Sequence, residues 1–138
     1  MGRFDGKGIL ITGAASGIGR ATAQRLAGEG GHVFGVDVNE DGLKETAGLV
    51  SEAGGKFDFG AHYLLRRDGC FDAVNAGVGT LGRLDVLCNV AGASKMTHFH
   101  EMTEEHWSFM IGINLSAVAF MSQAAVPRLL ETKGAIVN

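Results

Sequence analysis

Gly13, Gly17 and Gly19 stand in the pattern G-x-x-x-G-x-G within Thr12-Gly13-Ala14-Ala15-Ser16-Gly17-Ile18-Gly19. Glycines at this density let a backbone turn sharply and come within contact distance of a bulky anion. A short apolar run precedes them and a helical pattern follows, so unpaired N–H groups and the positive end of a helix dipole face the same spot. That combination suits a pyrophosphate. No Lys-Ser/Thr pair follows the glycines, which excludes a P-loop. About twenty residues beyond the turn, Asp37 closes a second apolar run; a carboxylate there accepts hydrogen bonds from ribose hydroxyls. Its charge repels a 2′-phosphate, so NAD is favoured over NADP. Arg20, beside the turn, could favour a 2′-phosphate, but its place inside the helix points to a surface role. Asn89-Val90-Ala91-Gly92 ends a later apolar run. Its small residues leave room for a cofactor, and an Asn can tie a strand end to a neighbouring loop.

Such residues act together only if the chain brings them to one edge of a sheet. The hydrophobic pattern alternates between two kinds of segment. Gly8–Thr12 and His32–Asp37 read as strands, and Leu84–Val90 as a fourth, with Ala61–Leu65 as a weaker third and Gly134–Asn138 as the fifth. Helical spacing covers Ile18–Glu29, Asn39–Ala53 and Phe71–Leu81. A long helix is expected over Trp107–Glu131, with Thr103 as N-cap and a break near Gly112 or at Pro127. Five strands alternating with helices, and no hairpin signals, predict a parallel sheet in one doubly wound domain over residues 1–138. Strands one and four flank the switch point where ligands sit in such sheets.

Composition excludes other classes. Twenty-two of 138 residues are glycine and one is proline, without a three-residue period, so the chain is not collagen-like. At 46% hydrophobic residues it is too apolar for disorder. A net charge of −3 with no basic cluster gives no footprint for nucleic acid. The greasiest stretch, Ile113–Val126, contains Asn114, Ser116, Ser122 and Gln123, and no run of ~18 apolar residues predicts a membrane span. The amino end has no signal-peptide core and no myristoylation pattern. Cys70 and Cys88 are expected as buried, reduced thiols. A cytoplasmic, soluble protein is expected. His98, His100 and His106 lack metal-ligand spacing and read as polar loop residues. Phe109, Met110, Phe120 and Met121 read as core or subunit contact.

Taken in order, these motifs resemble the short-chain dehydrogenases/reductases. The resemblance rests on T-G-A-A-S-G-I-G, N-x-A-G, Ile113-Asn114-Leu115 and the closing Gly134-Ala135-Ile136-Val137-Asn138. It implies a Rossmann-like α/β fold, doubly wound with helices on both faces of about five parallel strands and incomplete beyond them. It implies an oxidoreductase moving hydride between a nicotinamide and an alcohol/ketone pair. Gly13, Ser16, Gly17, Ile18 and Gly19 would hold the pyrophosphate side and Asp37 the ribose. Asn89, Ala91 and Gly92 would line the cofactor cleft, and Asn114 would be the Asn of the catalytic tetrad.

Three departures qualify the resemblance. Val90 replaces the second Asn of N-N-A-G. Leu65 stands where the family places an Asp near the adenine, which weakens adenine recognition, and Asp68 could substitute only through a shifted loop. Finally, the family's Ser and Tyr-x-x-x-Lys, which orient the carbonyl and transfer the proton, follow the fifth strand, where these residues stop. The only tyrosine, Tyr63, has Arg67 four residues on, but at a strand end that spacing is ~13 Å. The expectation is a chain truncated after the fifth strand that turns over negligibly by itself. The alternative is a non-catalytic NAD-binding or dimer-interfering module, with homo-oligomer contact through helix 107–131.

Overall fold

The computed structural model describes residues 2–138 and contains one parallel sheet. Strand β1 (Gly8–Thr12) leads to helix α1 (Gly17–Gly28), β2 (His32–Asp37), α2 (Glu40–Glu52), β3 (Lys56–Ala61), α3 (Arg67–Leu81) and β4 (Val86–Cys88). After a short 3-10 turn at Phe99–Glu101 come α4 (Glu104–Ile111), a π-helical segment at Gly112–Ser116, α5 (Ala117–Thr132) and β5 (Ala135–Val137). The strand order is β3-β2-β1-β4-β5. The chain therefore builds outward from β1 on one side, then crosses back to place β4 on the other. This is a Rossmann-like, doubly wound sheet with its switch point between β1 and β4.

Burial explains the strand patterns. β1 is buried at all five positions, Ile9 and Ile11 packing towards α1 and α2 while Leu10 faces the side covered by α3 and α5. A strand covered on both faces reads as an unbroken apolar run. β3 is the edge strand, and its exposures alternate instead. Phe57 and Phe59 pack inward while Lys56 and Asp58 face solvent, Asp58 pairing with His32 across the strands at 2.6 Å. For that reason the third strand is Lys56–Ala61 rather than Ala61–Leu65: an edge position shows period two, not a continuous run.

The other boundaries shift less. β4 spans only three residues because Val90 and Ala91 turn their N–H groups to the Thr12 hydroxyl, at 3.1 and 3.0 Å, instead of continuing the ladder. Helix α3 starts at Arg67, a turn before Phe71. Thr103 caps α4, its hydroxyl accepting from the His106 N–H. The expected break falls at Gly112, as a π turn; Pro127 lies inside α5 without interrupting it.

Together Glu104–Thr132 make 29 helical residues, long and apolar enough by length and composition to cross a membrane. The polar residues counted against a span are diluted once the whole helix is averaged. Here Ala117, Met121, Ala125 and Leu129 are buried, with α5 packed on α3 and β4. Cys70 and Cys88 are both buried and unbridged, and burial pushes both thiols up.

Helix α2 carries Gly48 at an exposed interior position where a methyl group would meet nothing within 4 Å. Gly48→Ala should stabilise the protein by about 0.5–1 kcal/mol through backbone entropy alone. A thermal melt is expected to rise by roughly 3 °C; an unchanged or lower midpoint would contradict this account of Gly48.

Candidate functional site

The carboxyl ends of β1 and β4 are knotted together by Thr12, whose hydroxyl accepts the N–H groups of Val90 and Ala91. Just beyond, Gly13 adopts a φ of +71°, and a Cβ there would lie 2.9 Å from the Ala91 backbone. The glycine turn and the Asn89–Gly92 segment are thus in backbone contact. Only glycine fits.

The turn is braced from behind. The Ala14 N–H donates to the Val36 carbonyl at 3.2 Å, and the Thr46 hydroxyl donates to the Ala14 carbonyl at 2.8 Å. Arg20 donates to the carbonyls of Ala15 at 2.6 Å and Gly42 at 3.2 Å, and reaches Thr46 and Glu45 as well. The expected surface role of Arg20 is therefore corrected: it is a strap joining the turn to α2. Its reach spans more than twenty residues of sequence, which local helical spacing does not reveal.

Asp37, at the end of β2, accepts the Ala15 N–H at 3.1 Å on one oxygen and the Asn39 N–H at 3.1 Å on the other. These bonds hold its carboxylate beside the glycine turn. Helix α1, by contrast, begins without help. Ser16 makes no side-chain cap bond and no acidic residue occupies the first turn, whereas Asn39 caps α2 and acidic residues follow it. The positive end of α1 opens on the same cleft.

That cleft has a volume of about 460 Å³. It brings together Gly13, Ser16, Gly17, Ile18, Gly19, Asp37, Ala91 and Gly92. Asn89 stands one layer back: its amide donates to Asn138 at 2.8 Å and to Ser122 at 3.3 Å, tying β4 to β5 and α5. It is not among the residues that line the cleft. Asn114 sits in the π segment and grips the loop after β4. Its side chain accepts the Ala93 N–H at 3.2 Å and donates to the carbonyls of Ala93 at 2.9 Å and Met110 at 3.0 Å. A π turn at such a point reorients one side chain relative to a regular helix.

Residues 7–138 match the short chain dehydrogenases. The chain belongs to this family. Over 99% of its length it is 39% identical to a D-threitol dehydrogenase from Mycolicibacterium smegmatis, of which it covers 53%. Its fold matches carveol dehydrogenase from Mycobacterium avium, solved in complex with NAD, with a TM-score of 0.90 at 32% identity, covering 99% of this chain and 55% of that one. A metagenomic short-chain oxidoreductase in complex with NADP gives 0.92 at 29% identity, covering 96% and 61%. The chain spans about half the length of the relatives it matches.

Several lining residues of this chain escape a reading of the sequence alone. Val38, His62, Tyr63, Leu64, Phe109 and Ile113 also face the cleft. With β3 ending at Ala61, the first buried apolar residue after it is Leu64, and Tyr63 immediately precedes that anchor. Leu65 lines the cleft too, but deeper in the loop than a strand ending at Leu65 implies. Asp68 is elsewhere, on the first turn of α3, held by Arg66 and the Gly69 N–H. Tyr63 and Arg67 do not pair: the Arg67 guanidinium lies 4.2 Å from the Phe71 ring centre and donates to Gln123. Among the described residues no group of three or more His, Cys, Asp or Glu side chains could hold a metal ion.

Proposed function

We propose that this chain is the cofactor-binding part of an alcohol/ketone oxidoreductase and that it binds NAD in preference to NADP. The convergence of the glycine turn, the uncapped start of α1 and Asp37 in one cleft carries this reading. Gly13, Ser16, Gly17, Ile18 and Gly19 offer backbone N–H groups and room for a pyrophosphate, and no Cβ crowds the approach at the glycines. Asp37, fixed by Ala15 and Asn39, presents acceptor lone pairs to ribose hydroxyls. Ala91 and Gly92 form the opposite wall, and Asn114 holds the Ala93 backbone in position beside it. When bound, the nicotinamide supplies the hydride chemistry; the protein's contribution here is placement.

The preference for NAD rests on charge. Asp37 is the one carboxylate of the lining and no Arg or Lys shares it, since Arg20 is committed to carbonyls, Thr46 and Glu45. A 2′-phosphate beside Asp37 would have no cation to hold it. Trp107, Leu115, Val126 and Leu130 are exposed along α4–α5 and support contact with a second copy through this helix.

No Tyr-x-x-x-Lys occurs in these 138 residues. The polypeptide is therefore expected to bind NADH without oxidising secondary alcohols in the presence of NAD. Fluorescence titration should give NADH at least tenfold tighter than NADPH, and Asp37→Asn should narrow that ratio several-fold. Equal affinities would remove the charge argument, and absence of NADH binding would remove the cofactor site. Binding without turnover also suits a non-catalytic module, whereas measurable turnover by the pure chain would exclude that reading.

A further inference from the structure

Behind the glycine turn, on the side away from the cleft, helix α2 packs directly against it. A Cβ at Gly42 would lie 2.8 Å from the Ala15 carbonyl oxygen and 2.9 Å from the Ala15 Cβ, so only glycine lets the two come this close. Two side chains meet in that seam. The Thr46 hydroxyl is fully buried and receives the Arg20 Nε–H at 3.0 Å. Its single proton has two carbonyls within reach, Ala14 at 2.8 Å and Gly42 at 3.1 Å. Arg20 already serves Gly42 at 3.2 Å, which leaves the Thr46 proton to Ala14. Arg20 also takes the Ala15 carbonyl, at 2.6 Å. Every peptide here is trans, and across a trans peptide plane the carbonyl and the N–H point in opposite directions. A carbonyl held at the rear therefore aims the next residue's N–H forward. The Ala14–Ala15 peptide shows this directly: Thr46 holds its carbonyl, and the Ala15 N–H donates to Asp37 at 3.1 Å. In the Ala15–Ser16 peptide Arg20 holds the carbonyl. Ser16 lines the cleft, and its N–H has no acceptor among the described residues.

We propose that Arg20 and Thr46 are positioning residues for the bound dinucleotide, each acting through one peptide plane. Arg20 turns the Ser16 N–H towards the pyrophosphate; Thr46, through the Ala15 N–H, fixes the Asp37 carboxylate that selects NAD over NADP. Both roles deepen the dinucleotide reading above and rest on it. Neither side chain lines the cleft, and both work from the far side of the turn. The two roles are separable. Loss of the grip on Ala15 releases a donor that every dinucleotide uses, so NADH and NADPH weaken alike. Loss of the grip on Ala14 releases the brace of Asp37, leaving that carboxylate to the Asn39 N–H alone, and so changes the ratio between them. Lysine cannot replace Arg20, because one ammonium lacks the planar fork that reaches Thr46 through Nε and two carbonyls through Nη2. It does keep the positive charge, which separates geometry from the field of a cation near an anion site.

The test is calorimetric titration of NADH, NADPH and ADP-ribose into the 138-residue chain and into its Arg20→Lys, Arg20→Met, Thr46→Val and Thr46→Ser variants, with circular dichroism to establish that each is folded. Arg20→Lys and Arg20→Met should each weaken all three ligands about tenfold and leave the NADH-to-NADPH ratio unchanged. Thr46→Val should narrow that ratio several-fold, and Thr46→Ser, which keeps the hydroxyl, should retain it. The Arg20 side chain is 25% exposed, so its variants should fold and decide the inference even where Thr46→Val does not. An Arg20→Lys that binds like the unaltered chain, or a folded Thr46→Val that leaves the ratio unchanged, overturns the inference and leaves the dinucleotide site standing. Failure of the unaltered chain to bind NADH or ADP-ribose overturns both.

Discussion

Gly19→Ala is expected to weaken NADH binding by at least about a hundredfold. A Cβ at this position would lie 2.0 Å from the Gly13 carbonyl oxygen and 2.6 Å from its carbon. Neither contact can be relieved by a side-chain rotation, because both atoms are backbone. Gly13 cannot give way either. Its positive φ, its approach to Ala91 and the Ala14–Val36 hydrogen bond fix it from three directions. The turn must open by about an ångström or more, and a displacement of that size at a ligand-positioning element costs on the order of 10² in productive binding. The control lies in the same helix. Gly28 is exposed, an added methyl group there would meet nothing within 4 Å, and Gly28→Ala should leave affinity unchanged. Both variants should be titrated well below their melting temperatures, so that lost affinity is not lost folding. Comparable affinities for the two would mean that the turn is not the anion-binding element.

What the sequence reveals of this site is what lies close together along the chain. The Gly13–Gly19 turn, the strand before it and the helix after it form one local unit, and each part announces the next. Asp37 is legible because the end of β2 is marked by its apolar run. Long-range partners are not. Nothing in the residues around Arg20 discloses that its guanidinium crosses to the Gly42 carbonyl, and nothing near Asn114 discloses its hold on Ala93, twenty-one residues earlier. Tyr63 is hidden for a different reason. An edge strand carries half the apolar signal of a central one, so hydrophobic pattern alone sets β3 five residues late and reads its following loop as strand. The cleft residues contributed by that loop become recognisable only once β3 is paired with β2 in its true register.

Asp85→Ala should lower stability by about 3 kcal/mol while leaving NADH affinity intact. Asp85 lies at the opposite end of the sheet from the cleft, just before β4. It is 4% exposed and accepts two bonds from Arg83, both at 2.7 Å, one from Lys7 at 3.3 Å and one from the buried Gly8 N–H at 2.9 Å. Its own carbonyl receives the Ala135 N–H, so β1, β4 and β5 all meet here. Removing the carboxylate leaves the Gly8 N–H without its partner. Lys7 and Arg83, about half exposed, recover solvation, which holds the cost to the lower end of that for a broken buried pair. Burial alone would raise the Asp85 carboxyl, but the bonds from Arg83, Gly8 and Lys7 outweigh it and keep it below the usual carboxylate range. A carboxyl lowered by folding contributes fully above its unfolded value, near ~4, and loses that contribution as pH falls through its folded value. Glu29, brought down to about 2 by Arg3 and Arg25, and Asp68, lowered by Arg66, act in the same direction. Wild-type acid sensitivity is therefore a mixture, and the difference between wild type and Asp85→Ala isolates one carboxylate. Measured by urea unfolding, that difference should be constant from about pH 7 to about pH 5 and shrink steadily below about pH 4. A difference that stayed level down to about pH 3 would mean that Asp85 acts through shape rather than charge.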